Sequence, residues 1–228
     1  MRHTRIIITH YGGPDELQVV EEECPEPKDG EVRVRVLAAG VAYPDLLMRE
    51  GLHPEKPPLP FTPGWDLIGV VNRLGKGVSG IEPGQIIAAL PISGAYAEFV
   101  CLPQRELVPV PSGLDAVEAV SLVLNYITAY QMMHRSVQVR PGQRVLIHGA
   151  AGGVGSAPLQ LGRFAGLEMY STCSPQRASA SLSCNRPLRV VHRWRLAYPG
   201  PKTAGPLQHP VAETTETGIV STGSDRPL

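Results

Sequence analysis

The alternation of polar and apolar residues predicts a β-rich region in the first part of the chain. Residues 31–38, EVRVRVLA, alternate strictly between the two classes, as in a strand with one face buried. A short helix is expected at residues 44–49, with Pro44 in its first turn and Gly51 as its stop. Apolar runs bounded by glycine or proline predict further strands at residues 5–8, 17–23, 66–74, 85–90 and 94–102.

Helical periodicity replaces this pattern from residue 116 to residue 134, with an interruption near Asn125. The turn Pro141-Gly142 then introduces the short apolar run 144–148, which is typical of a buried parallel strand. An amphipathic segment follows, and residues 167–173 are expected to form a second strand. This order predicts the opening βαβ unit of a nucleotide-binding sheet.

The helix of this unit is predicted from its apolar positions, with polar residues turned outward. The residues expected on the apolar face are Leu159, Leu161 and Phe164, and those expected outside are Gln160 and Arg163. Pro158 falls beyond the first position of the helix, where a proline is expected to kink it or delay its start.

Four glycines follow the first strand of the βαβ unit: Gly149, Gly152, Gly153 and Gly155. Such a turn lets the main chain approach a diphosphate, and the next helix offers free N–H groups at the positive end of its dipole. The spacing departs from G-x-G-x-x-G because Ala151 stands where the second glycine normally sits. A plain glycine-rich turn is the alternative, but the strand and helix on either side favour a nucleotide site.

The end of the second strand indicates which cofactor is expected. An NAD site places a carboxylate about 20 residues after the first glycine, and residues 169–174 contain none. Thr172 and Ser174 carry hydroxyls, and Arg177 adds a cation suited to a 2′-phosphate. The sequence therefore predicts NADP(H) rather than NAD, with a solvated surface charge as the alternative role for Arg177.

Composition excludes several other classes of partner. The 228 residues contain 21 Lys plus Arg and 21 Asp plus Glu, so no net field favours nucleic acid or an anionic membrane. No signal peptide or run of 18 apolar residues is apparent. The cysteines Cys24, Cys101, Cys173 and Cys184 form no C-x-x-C pair, which argues against a structural zinc cluster and favours a cytoplasmic setting.

Five motifs in this order resemble the medium-chain dehydrogenase/reductase superfamily, and within it the zinc-independent, quinone oxidoreductase-like branch. The motifs are GVAYPD at 40–45, PGWDLIGVV at 63–71, GAYAEF at 94–99, NYITAY at 125–130 and the glycine turn at 149–155. The resemblance implies an α/β chain with a GroES-like catalytic domain at residues 1–115, mostly antiparallel β. Part of a Rossmann nucleotide-binding domain is then implied at residues 116–174.

The resemblance also bears on metal. Zinc alcohol dehydrogenases of this superfamily bind their catalytic zinc at positions that Ala42 and Trp65 occupy here, and neither side chain can ligate. Asp66 could donate one oxygen, but a structural role is favoured. The implied activity is a metal-free transfer of hydride from NADPH to a quinone or an α,β-unsaturated carbonyl, which are the expected small-molecule partners.

Residue roles follow from the resemblance alone. It implies that Thr128 contacts the cofactor near the nicotinamide ribose, and that Ser174 and Arg177 meet the 2′-phosphate. The residues implied to line the diphosphate are Ala151, Gly152, Gly153 and Val154. Three polar pocket positions of quinone reductases correspond here to Ala42, Leu47 and His53.

Two residues are pocket candidates, although no catalytic residue is assigned. His53 is a candidate to orient a carbonyl, with a surface histidine as the alternative. Tyr43 is expected either to line the pocket or to be a core aromatic.

After residue 174 the sequence changes character. Residues 175–228 are rich in proline and arginine and have no sustained period of 2 or 3.6, which predicts a disordered or frame-shifted tail on a truncated enzyme. The family's sheet would continue here, and its far edge normally forms the dimer. A monomer or non-native oligomer is therefore expected. The second hypothesis for function is a catalytically inactive remnant that acts as a binding or scaffold module.

Overall fold

The computed structural model describes residues 1–173 and 189–190 and divides into two compact units, residues 1–127 and residues 128–228. The first unit contains strands β1 (Arg2–Ile8), β2 (Leu17–Glu23), β3 (Glu31–Ala39), β4 (Leu67–Leu74), β5 (Ile86–Ala89), β6 (Phe99–Pro103) and β7 (Val108–Pro109). It also contains helix α1 (Tyr43–Arg49) and most of helix α2 (Ala116–Tyr130). Apart from 189–190, the predicted tail lies outside the described residues.

Antiparallel pairing organises the first unit, as the alternating pattern predicted. Five strands form one sheet in the order β6-β3-β4-β5-β7, and β1 and β2 form a separate hairpin. The fully buried Val32 and Val34 of β3 pack with Leu67, Val71 and Ile87 in the main core. One turn of α2 packs on the sheet through a smaller cluster, in which Ile68 contacts Ala119, Val120 and Val123.

One polar position of β3 is not solvent-facing as the alternation predicted. The Arg33 side chain is buried, and its Nε donates to Asn72 Oδ1 at 2.8 Å while Nη1 donates to Pro25 O and Glu26 Oε1 at 3.1 and 3.0 Å. The guanidinium also lies 5.8 Å from the ring centroid of Phe99. A buried cation is tolerated here because its donors are satisfied.

The predicted strand at residues 94–102 is wrong in its first half, since β6 begins only at Phe99. Gly94 has φ +102°, and its N–H donates to Thr62 O at 2.8 Å. Residues 95–98 instead run along β1, where Ile6 N donates to Tyr96 O at 2.9 Å and Glu98 N donates to Thr4 O at the same distance. This segment includes Tyr96, whose side chain is partly buried.

The second unit contains the predicted βαβ unit. Strand β8 (Arg144–His148) and strand β9 (Glu168–Thr172) pair in parallel, joined by helix α3 (Gly153–Phe164). A short strand, β10 (Arg189–Val190), pairs in parallel with the other edge of β9. The buried cluster Ala150, Leu159 and Met169 lies between α3 and the sheet.

Three helix details differ from the prediction. Helix α2 runs without interruption past Asn125 to Tyr130 and continues as a π-helix over Gln131–Ser136. Helix α3 begins directly after the glycine turn, so Pro158 does not delay it. Phe164 is 91% exposed rather than on the apolar face, because it lies two residues after the buried Gly162 and therefore on the opposite side of the helix.

None of the helices in the described part of the chain is long and apolar enough to cross a membrane.

Candidate functional site

The glycine turn between β8 and α3 is built by two glycines that no other residue can replace without strain. Gly149 has φ +68°, in the region that favours glycine. A Cβ on Gly155 would overlap Gly149 O and come within 2.9 Å of Ala150 Cα. Gly155 therefore lets the first turn of α3 pack directly on the turn, while Gly152 N donates to Gly149 O at 2.9 Å and closes it.

The N-terminus of α3 is suited to an anion. Gly152 is the N-cap and offers no side chain, and the first turn contains no acidic residue. Within the helix, Ser156 N donates to Gly152 O at 2.9 Å, so the N–H groups of Gly153, Val154 and Gly155 precede the first helical donor and have no acceptor inside the helix. These groups, together with the helix dipole, favour a phosphate at this end.

The structure brings four of the predicted cofactor residues together. Ala151, Gly152, Gly153 and Val154 are consecutive at this N-terminus, and Gly153 and Val154 are exposed. Thr128 is partly buried on α2. Ser174 and Arg177 lie outside the described residues.

A histidine at the end of β8 was not predicted. His148 Nδ1 lies 2.9 Å from Thr172 Oγ1, and the two residues are register partners at the carboxyl ends of β8 and β9. Ligands of open parallel sheets bind beyond the carboxyl ends of the strands, so this pair lies at the edge where a nucleotide is expected. The sequence feature that could have indicated this pair is the polar residue at the end of each of the two strands, His148 in β8 and Thr172 in β9.

The pocket candidates lie around α1 in the first unit. Leu47 O accepts from Leu52 N at 2.8 Å and from His53 N at 3.1 Å, which places His53 directly beside α1. Tyr43, the first residue of α1, is 71% exposed and is therefore not a core aromatic. Val41, in the loop before the helix, is also exposed.

His53 is partly buried, and a backbone contact sets which ring nitrogen carries the proton in the neutral form. Glu55 N donates to His53 Nδ1 at 3.1 Å, so Nδ1 is an acceptor and the proton of the neutral ring is on Nε2. The ring packs edge-on against Trp65, with centroids 5.5 Å apart. Trp65 is itself partly buried, and its Nε1 is buried without a hydrogen-bond partner among the described residues.

Ala42, like Trp65, is partly buried. Within residues 1–173, no three His, Cys, Asp or Glu side chains lie close enough to hold a metal ion.

Beneath this region lies a buried polar network that the sequence did not predict. Asp45 Oδ1 accepts from Gly64 N at 2.9 Å, and Asp45 Oδ2 accepts from Ala42 N at 2.9 Å and lies 3.1 Å from Tyr96 Oη. Burial raises the pKa of Asp45, and these hydrogen bonds partly offset the increase. Burial, followed by the nearby carboxylates, also raises the pKa of Tyr96.

Asp66 has the structural role that the sequence favoured. Its Oδ1 accepts from Gly40 N and its Oδ2 from Leu124 N, both at 3.1 Å, so it ties the loop after β3 to α2 within the first unit. Burial raises the pKa of Asp66, hydrogen bonds from Leu124 and Gly40 lower it, and the charge of Asp45 raises it further.

A comparison with known families finds a match to the central part of the first unit. The family model described as "Alcohol dehydrogenase GroES-like domain" matches residues 28–112. This range includes β3 to β7, α1 and the whole Asp45 network. Residues 28–112 are therefore similar to the alcohol dehydrogenase GroES-like domain. The predicted fold class, with a mostly antiparallel GroES-like domain at the N-terminus, is confirmed.

Curated relatives extend the similarity beyond the GroES-like domain. The "Synaptic vesicle membrane protein VAT-1 homolog" of Rattus norvegicus is 41% identical over 160 residues, which is 69% of this chain and 40% of the relative. "Quinone oxidoreductase" of Homo sapiens is 35% identical over 200 residues, 87% of this chain and 60% of the relative. The chain thus spans about half the length of the curated relatives it matches.

A solved structure agrees in fold. The quinone oxidoreductase from Thermus thermophilus, described with its NADPH complex, has a TM-score of 0.72 and 34% identity, covering 82% of this chain and 59% of that one. These matches confirm the predicted resemblance to quinone oxidoreductases, and by family the chain is related to oxidoreductase enzymes.

Proposed function

We propose that the chain derives from, and retains the binding sites of, an NADPH-dependent oxidoreductase that reduces quinones or α,β-unsaturated carbonyls without metal. The observation that carries the proposal is the glycine turn at the carboxyl end of β8, where Gly149 and Gly155 bring the uncapped N-terminus of α3 to the surface. The curated relatives are longer than the part that this chain matches. That this chain has their activity is therefore proposed.

The residues at the turn fit a dinucleotide diphosphate. The N–H groups of Gly153 and Val154, two exposed residues, are donors, and no acidic side chain lies in the first turn. Gly155 allows this helix end to pack directly on the turn. Ala151 to Val154 would hold the diphosphate, Thr128 the nicotinamide ribose, and Ser174 with Arg177 the 2′-phosphate. The bound nicotinamide would supply the hydride.

On the acceptor side, the chain would bind and orient a carbonyl oxygen. His53 Nε2–H is a donor in the neutral ring, and the packing of the ring on Trp65 limits its rotation. Ala42 and Leu47 provide apolar contacts, and Tyr43 supplies an exposed aromatic wall at the start of α1. Such a site holds a conjugated acceptor by desolvation and one directed hydrogen bond, which is a positioning task.

A titration of purified full-length protein with NADPH and NADH, followed by cofactor fluorescence, tests the cofactor part. Two variants that differ only in charge make the test more specific. Val154→Glu places a carboxylate at the second residue of α3, and Val154→Gln is its neutral control. The helix dipole stabilises a carboxylate there, so folding is retained while an anion is repelled. Loss of NADPH binding in Val154→Glu but not in Val154→Gln supports the proposed site, whereas equal binding contradicts it.

The second candidate function is a non-catalytic binding module. One observation favours it: the apolar side chains of Leu146 and Phe164 in the second unit are exposed. Cofactor binding without quinone turnover supports this candidate. Turnover on the ordinary enzyme scale, roughly 1 to 1000 per second, supports the enzyme.

A further inference from the structure

Tyr96 lies between two acceptors that compete for its single proton. Its Oη is 3.1 Å from Asp45 Oδ2 and 3.2 Å from Gly40 O. A phenol donates one hydrogen bond, so it serves either the carboxylate or the carbonyl. The protonation state of Asp45 decides between them.

When Asp45 is ionised, the phenol proton goes to the carboxylate, because hydrogen bonds to a charged acceptor are the stronger ones. Gly40 O then receives no proton from Tyr96. When Oδ2 takes a proton from solvent, Asp45 becomes a donor to Tyr96 Oη, and the phenol turns its own proton to Gly40 O. The hydrogen bonds then run in one direction, from Asp45 through Tyr96 to Gly40.

We propose that Asp45 and Tyr96 form a proton-linked switch, which closes a hydrogen bond on the Gly40 carbonyl when Asp45 is protonated and opens it when Asp45 is ionised. The peptide at Gly40 is the point of action. Its N–H is held by Asp66 Oδ1 at 3.1 Å, and a Cβ at this position would overlap that oxygen. The switch therefore adds or removes a hydrogen bond to the Gly40 carbonyl, while the Gly40 N–H stays bonded to Asp66.

Among the described residues, no cationic side chain forms a hydrogen bond or an ion pair with Asp45 or Tyr96. The titratable side chains that face Asp45 are Tyr96, from the segment before β6, and Asp66, the residue directly before β4. Two cations on neighbouring elements bond elsewhere: Arg49 of α1 donates to Gly12 O and Glu50, and Arg5 of β1 to Thr62 and Glu22. The direction of the Asp45 pKa, raised by burial, agrees with a protonated state reached above the usual range of an aspartate.

The Gly40 loop leads through Val41 and Ala42 into α1, so the switch acts on the entrance to the proposed acceptor pocket. This consequence for acceptor binding rests on the proposed function. The switch itself does not, and it is tested without cofactor or acceptor.

The test is a pH titration of Trp65 fluorescence in full-length protein carrying Trp194→Phe, His53→Phe and Asp66→Asn. These changes leave Trp65 as the only tryptophan and remove the two other titratable groups beside it. Trp65 lies between Gly64, which donates to Asp45, and Asp66, so it reports on the network. We expect one transition with a midpoint above the usual aspartate range, and its loss in Asp45→Asn. Tyr96→Phe is expected to move the midpoint to higher pH, because it removes a donor that favours the ionised form.

A transition that persists unchanged in Asp45→Asn, or a midpoint that Tyr96→Phe leaves in place, overturns the proposal. The matched control is Tyr170→Phe, which removes a hydroxyl bonded to Glu168 Oε1 at 2.6 Å on the second unit and should leave the midpoint unchanged. If Asp45→Asn does not fold, pH-difference infrared spectroscopy of Tyr96→Phe against the parent replaces it. A carboxylic C=O band whose frequency rises in Tyr96→Phe supports the switch, and an unmoved band contradicts it.

Discussion

The imidazole of His53 packs edge-on against the indole of Trp65, with the ring planes at 66°. Because Glu55 N–H occupies Nδ1, only Nε2–H of the neutral ring is left to meet a ligand. The pair thus combines an apolar wall with one directed donor beside Leu47, and it gives the proposed acceptor site a specific chemistry.

Replacing His53 should weaken binding of a quinone. His53→Phe retains a ring against Trp65 but removes the donor, so we expect the dissociation constant of a simple benzoquinone to rise about tenfold, equivalent to roughly 1.4 kcal/mol for one hydrogen bond. Quenching of Trp65 fluorescence in the Trp194→Phe background measures it. His53→Gln, which keeps an N–H donor, should recover part of the affinity, and equal affinity in all three proteins would exclude the donor role.

Introducing a carboxylate at the start of α3 should weaken NADPH binding. Val154→Glu is expected to raise the dissociation constant about tenfold or more through like-charge repulsion, roughly 1 to 2 kcal/mol at a helix N-terminus. Isothermal titration calorimetry at two salt concentrations measures the effect, which should shrink at higher salt. Val154→Gln is the neutral control, and a similar loss there would show that size rather than charge matters.

Removing Arg177 should reduce the preference for NADPH over NADH. Arg177→Gln takes away the cation proposed for the 2′-phosphate, and we expect the affinity for NADPH to fall while that for NADH stays the same. Arg186→Gln, in the same part of the chain, is the matched control. An unchanged ratio of the two dissociation constants would return Arg177 to the role of a surface charge.

Filling the space at Gly155 should destabilise the second unit. Gly155→Ala forces a methyl group against Gly149 O and Ala150 Cα, and we expect the free energy of unfolding to fall by about 1 to 3 kcal/mol, as for other overpacked sites. Urea unfolding followed by circular dichroism measures it. Gly13→Ala is the control, since φ is −73° there and no atom lies within 4 Å of the added methyl group.

The buried carboxylates should make the first unit lose stability as pH rises. The pKa values of Asp45 and Asp66 are raised in the folded state above the reference of 3.8, so folding binds protons. Their contribution is fully present below the unfolded pKa and is lost as pH rises through the folded pKa. We therefore expect Asp66→Asn to gain stability relative to wild type as the pH rises above the reference pKa of 3.8, measured by urea titrations at a series of pH values.

The exposed Asp115, whose Oδ1 accepts from Val117 N at 2.8 Å at the start of α2, provides the control for this pH dependence. Asp115→Asn makes the same chemical change without removing a buried carboxylate. A stability difference between Asp66→Asn and wild type that does not vary with pH would contradict the raised pKa.

Sequence periodicity predicted the strands and helices that are held mainly by local contacts or by regular hydrogen bonds between paired strands. β2 and β8 have the predicted bounds, and the βαβ order follows from turns and apolar runs alone. The segment 94–98 was placed in a strand because its alternation is the same whether it pairs with β3 or runs along β1. Only the left-handed conformation at Gly94 and the contacts with Thr4 and Ile6 separate the two.

The polar network around Asp45 could not be predicted, because it depends on contacts between residues far apart in the sequence. Asp45 and Tyr96 are 51 positions apart, and no local pattern shows that a helix carboxylate and a loop phenol share a buried site. Asp66 was recognised as structural, yet its partner Leu124 N lies on α2 and depends on how that helix packs on β4. The roles of the cofactor residues, the absence of metal, the cytoplasmic location and the oligomeric state stay predictions.

Because the Gly40 peptide is fixed by Asp66 on one side and approached by Tyr96 on the other, the main chain leading into α1 is constrained while its side chains are not. Val41 and Tyr43 are 79% and 71% exposed, so either can be replaced with little penalty to folding. The proposed acceptor site thus combines a fixed main chain with two positions whose side chains can change. Directed evolution for new acceptors should find its gains at residues 41 and 43, and should tolerate no change at Gly40.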